Sequence, residues 1–175
     1  NDVRELLLQC TLLQNTDPAL LVKQPAEGRW SVAQVLEHLN IYARHYILAI
    51  EQKLHLNQTG ANDVFTPGWL GNYFTQLMKP LDNNSLKSKM KSPSNAVPSL
   101  QPDAQAMLQE FINHQHHLLN LLQIARTANL DYIRVATTLS KLITLKLGDT
   151  FRFFIAHEQR HFLQIENTLK ALQPF

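Results

Sequence analysis

Apolar residues recur every three or four positions along four segments of the chain, a spacing that places them on one face of an α-helix. The clearest segment lies between residues 31 and 55. Its apolar positions are Val32, Val35, Leu36, Leu39, Tyr42, Tyr46, Ile50 and Leu54. The other three segments span about residues 3–14, 103–126 and 147–173. Because no run alternates with a sustained period of two, the pattern predicts an all-α fold.

Helix boundaries and a long connector set the arrangement of these segments. Ser31 is a good N-cap for the second segment, and Asp2 is a candidate N-cap for the first. Residues 56–102 are rich in Asn, Ser, Lys and Pro, with a short helix expected over residues 66–77 and a loop over residues 83–102. A crossover of this length lets consecutive helices run parallel. The sequence therefore predicts a four-helix bundle with one long connector between helices 2 and 3.

Composition and charge narrow the class of protein. The 175 residues, 45% apolar and 17% charged, fit a single domain over residues 1–175. A net charge of +2 does not indicate nucleic-acid binding, although Lys87, Lys89 and Lys91 lie close together in sequence. No apolar run reaches the roughly 18 residues of a membrane span. The single cysteine, Cys10, and the absence of a recognisable signal peptide favour a reducing, cytoplasmic location, with Cys10 as a buried packing residue.

Two histidines four residues apart, His157 and His161, are the strongest candidates for functional residues. On a helix this spacing turns both imidazoles to the same side, where two ring nitrogens can bind one divalent metal. The pair lies in a polar stripe at the border of the apolar face, which is also a common place for structural histidines. The spacing alone leaves both interpretations open.

A third metal ligand has to come from another segment. His38 is the best candidate, because it lies two turns into the second segment and borders its apolar stripe. His45 follows one heptad later, about 10.5 Å along the helix, too far to share a metal with His38. We expect it to be a partly exposed helix residue. His114 and His117 on the third segment form a weaker candidate pair.

Residues 157–161 also have the form His-Glu-x-x-His of zinc proteases, in which the glutamate is the general base. The extended motif needs glycine and histidine at the positions of Gln164 and Asn167, and the other version needs a glutamate from a later helix, so we do not expect a protease. Glu158 falls inside the apolar stripe, where a carboxylate needs a partner. We favour a structural ion pair with an Arg or Lys over a role beside the metal.

Three stretches together resemble the DinB/YfiT-like metal-binding four-helix bundles. Residues 30–39, WSVAQVLEHL, are similar to the family's second-helix motif, whose histidine is the first ligand. Residues 147–161, LGDTFRFFIAHEQRH, are similar to its fourth-helix motif, and Gln164-Ile165 continues that pattern. The resemblance implies that His38, His157 and His161 bind a divalent metal, with zinc and nickel as the ions linked to the family.

The resemblance also implies an activity. Members of the broader group use the metal with low-molecular-weight thiols, so we expect a transferase that joins such a thiol to a small electrophilic substrate. Tyr42, Trp69, Tyr73 and Arg160 are candidate pocket residues. The alternatives are a metal-dependent hydrolase at the same site and a non-enzymatic stress-response or binding protein with a structural metal. Neither a nucleic acid nor a membrane is expected as a partner, whereas a free apolar helix face would allow a homodimer.

Overall fold

The computed structural model describes residues 1–62, 64–81, 85, 90–138, 140 and 142–173. These residues form six α-helices, two 3₁₀ turns and two short strands. The helices are α1 (Asp2–Gln14), α2 (Pro18–Val22), α3 (Val32–His55), α4 (Trp69–Met78), α5 (Ala104–Ile124) and α6 (Leu147–Leu172). The strands are β1 (Arg134–Ala136) and β2 (Thr144–Lys146). Helices make up most of the described chain, so the predicted all-α class is confirmed in its main feature.

The four segments with helical periodicity correspond to α1, α3, α5 and α6, and the short helix expected in the connector is α4. The periodicity does not predict α2, β1 or β2, because five or three residues are too few to show a period. The strands pair antiparallel, with Val135 opposite Leu145. Lys87, Lys89 and part of the predicted loop over residues 83–102 lie outside the described residues. Within the described ranges, none of the helices combines the length and apolar character that crossing a bilayer requires.

The starts of two helices show which polar residues set their boundaries. Asn1, rather than the predicted Asp2, is the N-cap of α1, because its carbonyl accepts a hydrogen bond from the Glu5 N–H at 3.0 Å. At α3, the Ser31 hydroxyl accepts from the Gln34 N–H, and the Gln34 side-chain oxygen accepts from the Ser31 N–H. This capping box confirms Ser31 as the N-cap and fixes the helix start about two turns before His38.

Apolar side chains are buried in two clusters, one toward each end of α3, α5 and α6. The first cluster includes Tyr46, Leu118 and Phe154, and the second includes Leu36, Phe111 and Phe162. Between the clusters the same three helices bury His38, Gln115, His157 and Glu158, each at most 4% exposed. We call these four residues the polar layer. The layer interrupts the apolar core and contains two of the three histidines predicted to bind metal.

Cys10 of α1 packs in the second apolar cluster and is 1% exposed. Burial, with a smaller contribution from the charge of Glu158, raises the pKa of its thiol to about 12. A thiol with so high a pKa is protonated at neutral pH and is a poor nucleophile. The expectation that Cys10 is a buried packing residue is therefore confirmed.

Asp149 fixes α4 against the first turn of α6. One oxygen of its buried carboxylate accepts from the N–H of Gly68, the N-cap of α4, at 2.7 Å. The other accepts from the Arg152 guanidinium at 3.0 Å, and Arg152 also donates to Asn72 of α4 at 3.0 Å. This network holds α4 on α6, and the last residue of α4, Met78, lies beside the candidate site described below.

We predict that a single methyl group at Gly71 destabilises this contact. A Cβ at Gly71 would overlap Cβ and Cγ of Asp149, so Gly71→Ala should push α4 away from α6. We expect the free energy of unfolding in urea to fall by roughly 1–3 kcal/mol. Gly60→Ala is the matched control, because a Cβ at Gly60 has no atom within 4 Å. Equal stability of the two variants would contradict the close packing.

Candidate metal centre

His38 of α3 meets His157 and His161 of α6. One ring nitrogen from each lies within 4.8 Å of the others, and His38 Nε2 is 3.3 Å from His157 Nε2. His38 and His157 are buried, and His161 is partly buried. The structure therefore brings together the three histidines named from the sequence, although His38 and His157 are 119 residues apart in the chain. Their four-residue spacing on α6 puts His157 and His161 on one side of that helix, as predicted.

The ring of His38 is oriented by the connector. Its Nδ1 lies 2.7 Å from the carbonyl oxygen of Ala96, in the 3₁₀ turn Ser94–Ala96. A carbonyl oxygen only accepts, so in this hydrogen bond the ring carries its proton on Nδ1, and Nε2 keeps the lone pair. Metal-binding histidines commonly donate their second N–H to a carbonyl or carboxylate in this way. The sequence holds no signal for this contact, because any residue type can supply a backbone carbonyl.

Gln164 orients the third ring. His161 Nδ1 lies 2.9 Å from the side-chain oxygen of Gln164, one turn further along α6, so the Nδ1 proton is donated there and Nε2 again keeps the lone pair. The sequence pattern places Gln164 in the same polar stripe as His161, and this hydrogen bond gives it a specific role. His157 Nδ1 is buried and has no hydrogen-bond partner among the described residues.

Burial keeps all three imidazoles neutral. It lowers the pKa of His161 to about 3 and the pKa of His157 well below its usual value, and it also lowers the pKa of His38. The charges of the neighbouring histidines are the next cause for His157 and His161, followed by a smaller effect of Arg160. A neutral imidazole presents a lone pair, which is the form that binds a metal.

The three histidines lie on the wall of a cavity of about 730 Å³. Two of the candidate pocket residues, Tyr42 and Arg160, line this cavity as well. The Tyr42 ring packs 4.4 Å from the His157 ring and 5.0 Å from the His38 ring, measured between centroids. The other two candidates, Trp69 and Tyr73, do not line it and are exposed on α4. Both side chains point from α4 toward solvent rather than toward the cavity. The sequence does not reveal this direction.

Three of the remaining histidines lie close to other polar partners. His114 Nδ1 lies 3.3 Å from the side-chain oxygen of Asn40, and His117 Nε2 lies 3.0 Å from a carboxylate oxygen of Glu51. His45 is partly buried, with Nε2 3.2 Å from the carbonyl oxygen of Ala136. None of the three belongs to a metal-sized group in the part of the chain that the structure describes. The pair on the third segment therefore links α5 to α3.

Glu158 is bound by an amide rather than by the expected cation. Its Oε1 accepts a hydrogen bond from Gln115 Nε2 at 2.7 Å, and both side chains are fully buried. No ion pair of Glu158 occurs among the described residues. Burial raises the pKa of its carboxyl to about 8, although the Gln115 hydrogen bond lowers it. At neutral pH the carboxyl is therefore mostly protonated, which removes the need for a buried counter-ion.

Metal-free protein should lose stability between pH 7 and pH 8 because of Glu158. Its folded pKa lies above the unfolded value, so its contribution is complete at low pH and is lost as pH rises through about 8. Over this single pH unit we expect a loss of about 1 kcal/mol in the free energy of unfolding. The lowered pKa values of the three histidines have the opposite effect on the free energy of unfolding. On the acid side of neutrality they make it rise with pH.

Urea denaturation of wild type and Glu158→Gln at several pH values, with a chelator present, measures this effect. Glu158→Gln should remove the decline between pH 7 and pH 8 and leave the rise on the acid side. The control is Glu27→Gln, at an exposed carboxylate, which should keep the wild-type curve. An unchanged decline in Glu158→Gln would show that another group is responsible.

The comparisons with known proteins agree with the geometry. The family model described as the DinB superfamily matches residues 3–165, which include all three clustered histidines. Comparison with curated proteins and with solved structures found no match. The match covers nearly the whole chain and confirms the resemblance seen in residues 30–39 and 147–161. The chain belongs to the DinB superfamily.

Proposed function

We propose that residues 1–175 form one DinB-like domain in which α1, α3, α5 and α6 make a four-helix bundle, and that it is a metal-dependent transferase. In this proposal His38, His157 and His161 bind a divalent metal, and the cavity beside them holds a low-molecular-weight thiol and a small electrophile. The observation that carries the proposal is the convergence of three neutral imidazoles on the wall of a 730 Å³ cavity. We place the protein in the cytoplasm, where such thiols are reduced.

The spacing of the ring nitrogens fits a metal. Two nitrogens bound to zinc at ~2.0–2.1 Å in tetrahedral geometry lie about 3.3 Å apart. The observed separation between His38 Nε2 and His157 Nε2 is 3.3 Å. The hydrogen bonds of His38 and His161 through Nδ1 leave Nε2 as the donor in both rings. Imidazole suits zinc and nickel, and three such ligands leave coordination positions for a thiol or substrate.

The chemistry of the proposed transfer follows from these parts. His38, His157 and His161 would hold the divalent metal, which would lower the pKa of a bound thiol and so supply thiolate at neutral pH. The thiol sulfur forms a bond to an electrophilic carbon, the leaving group departs with the electron pair of its bond, and the thiol proton passes to solvent. The cavity walls hold the electrophile close to the sulfur. The apolar faces of Trp30 and Tyr42, which pack against His38, exclude water from this side of the ring.

Metal content tests the ligand set. Purified wild type should carry zinc or nickel in stoichiometric amount, and His157→Ala should lose it, because two imidazoles hold a divalent metal far more weakly than three. Elemental analysis after gel filtration measures both. His116→Ala is the control, since His116 is exposed on α5 and distant in sequence from the cluster. Equal metal content in wild type and His157→Ala would show that the ligand set is wrong.

Thiol consumption tests the reaction. Metal-loaded wild type should accelerate the loss of a thiol in the presence of monochlorobimane, an electrophile whose product is fluorescent. Removal of the metal, or the His157→Ala substitution, should lower this rate by roughly 100-fold or more, whereas His116→Ala should not change it. Absence of a metal-dependent rate with several low-molecular-weight thiols would exclude the transferase and favour the hydrolase or the structural metal.

A further inference from the structure

Among the described residues, three cationic side chains line the cavity beside the histidines. Arg29 lies just before α3, Lys91 lies in the connector, and Arg160 lies on α6 between His157 and His161. No Asp or Glu is present among the described residues that line the cavity, although the chain contains 14 of them. The positive charge is therefore local, because the chain as a whole has a net charge of only +2.

We infer that this cavity selects small organic anions, and specifically that its thiol or substrate carries a carboxylate held by Arg29, Lys91 and Arg160. The inference rests on the proposed function, because it names the class of ligand that the same site takes. It adds a property that the histidine cluster does not imply, since three imidazoles and a metal can serve neutral thiols equally well.

Arg160 is the cation closest to the chemistry. It is 5% exposed, and it lies on the same helix as His157 and His161, three residues after the first and one before the second. Its guanidinium charge therefore lies on the wall of the same cavity as both rings, where a positive field favours a bound negative charge. Three neutral imidazoles would also leave the full charge of a bound divalent metal uncompensated, which adds to the same field.

Arg29 and Lys91 act at longer range. Both are exposed, so each is expected to contribute less to affinity than the buried Arg160 and more to the capture of an anion from solution. They come from different parts of the chain, Arg29 before α3 and Lys91 after it, and meet at one cavity. A guanidinium binds a carboxylate with two parallel hydrogen bonds, as it also binds a phosphate.

The rest of the wall indicates the body of the ligand. Trp30, Met78 and Met90 supply apolar surface, and Gln164 and Asn167 supply amides. Trp30 packs against His38 with ring centroids 5.0 Å apart, so apolar surface and the metal centre are adjacent. A ligand with a short apolar or aromatic body and a terminal carboxylate satisfies both parts of this wall.

Titration calorimetry on zinc-loaded protein tests the inference with paired probes. The first pair is 3-mercaptopropionate and its methyl ester, which differ in charge but share the thiol. The second pair is phenylacetate and phenylacetamide, which contain no thiol. We expect wild type to bind the anion of each pair more tightly, on the order of tenfold. The ratio of the two affinities within each pair is compared between wild type and the variants. This comparison cancels any intrinsic difference between the two members of a pair.

Substitutions assign the preference to the named cations. The double variant Arg29→Gln with Lys91→Gln should reduce the anion preference, and Arg160→Gln should reduce it further. Lys53→Gln, at an exposed lysine of α3 that does not line the cavity, should leave the preference unchanged. The double variant changes exposed residues only, so it keeps the inference testable if Arg160→Gln fails to fold, as judged by circular dichroism.

The outcomes separate the inference from the proposed function. If neither thiol binds but phenylacetate still binds more tightly than phenylacetamide, the thiol transferase is wrong and the anion site stands. If both thiols bind equally tightly, and phenylacetate binds no more tightly than phenylacetamide, the inference is overturned while the proposed function stands. A preference that persists unchanged in both cavity variants also overturns it, because the named cations would not be its cause.

Discussion

The structure depends on a polar layer buried across the middle of an otherwise apolar core. His38, Gln115, His157 and Glu158 are each at most 4% exposed, between two apolar clusters formed by the same three helices. Buried polar groups are costly unless each finds a partner, so these positions constrain the relative placement of α3, α5 and α6. Gln115 donates to Glu158, and the Nε2 atoms of His38 and His157 face each other at 3.3 Å. The buried polar side chains that are costly to place in the core are therefore also the ones that form the candidate site.

The long connector supplies a hydrogen-bond partner to one of these buried polar groups. His38 needs an acceptor for its Nδ1 proton. The connector supplies the carbonyl of Ala96, and it is held there by hydrogen bonds from Ser99 to Glu37 and from Gln34 to the Ser99 carbonyl. Fixing the described part of the connector around Ala96 costs conformational entropy, and these hydrogen bonds and the burial of Ala96 act against that cost. The connector thus forms one wall of the site as well as joining two helices.

The sequence predicts the parts of this arrangement that repeat with a helical period. The apolar stripes of α3 and α6 predict the two helices. The spacing of His157 and His161 predicts that they lie on one side of α6, and the position of His38 at the border of its stripe makes it the best candidate for the third ligand. Contacts that depend on tertiary distance are not predictable in this way. The Ala96 carbonyl has no side-chain signature, and the three-residue strands are too short to show alternation. For Glu158 the need for a partner is predictable, but its identity as an amide depends on how α5 faces α6.

The described residues around the three histidines supply positive charge but no negative charge. A protonated Glu158 contributes no negative charge to the polar layer, so it does not compensate a divalent metal on the adjacent His157. The three ligands are neutral as well, and Arg160 adds a further positive charge on the same helix. A structural zinc site is usually closed by four protein ligands, often including thiolates that balance its charge. In the proposed site the described residues provide three neutral ligands, a cavity and cations, so none of them supplies negative charge to the metal. This favours the proposal that the centre binds an anion from solution over a closed structural metal site.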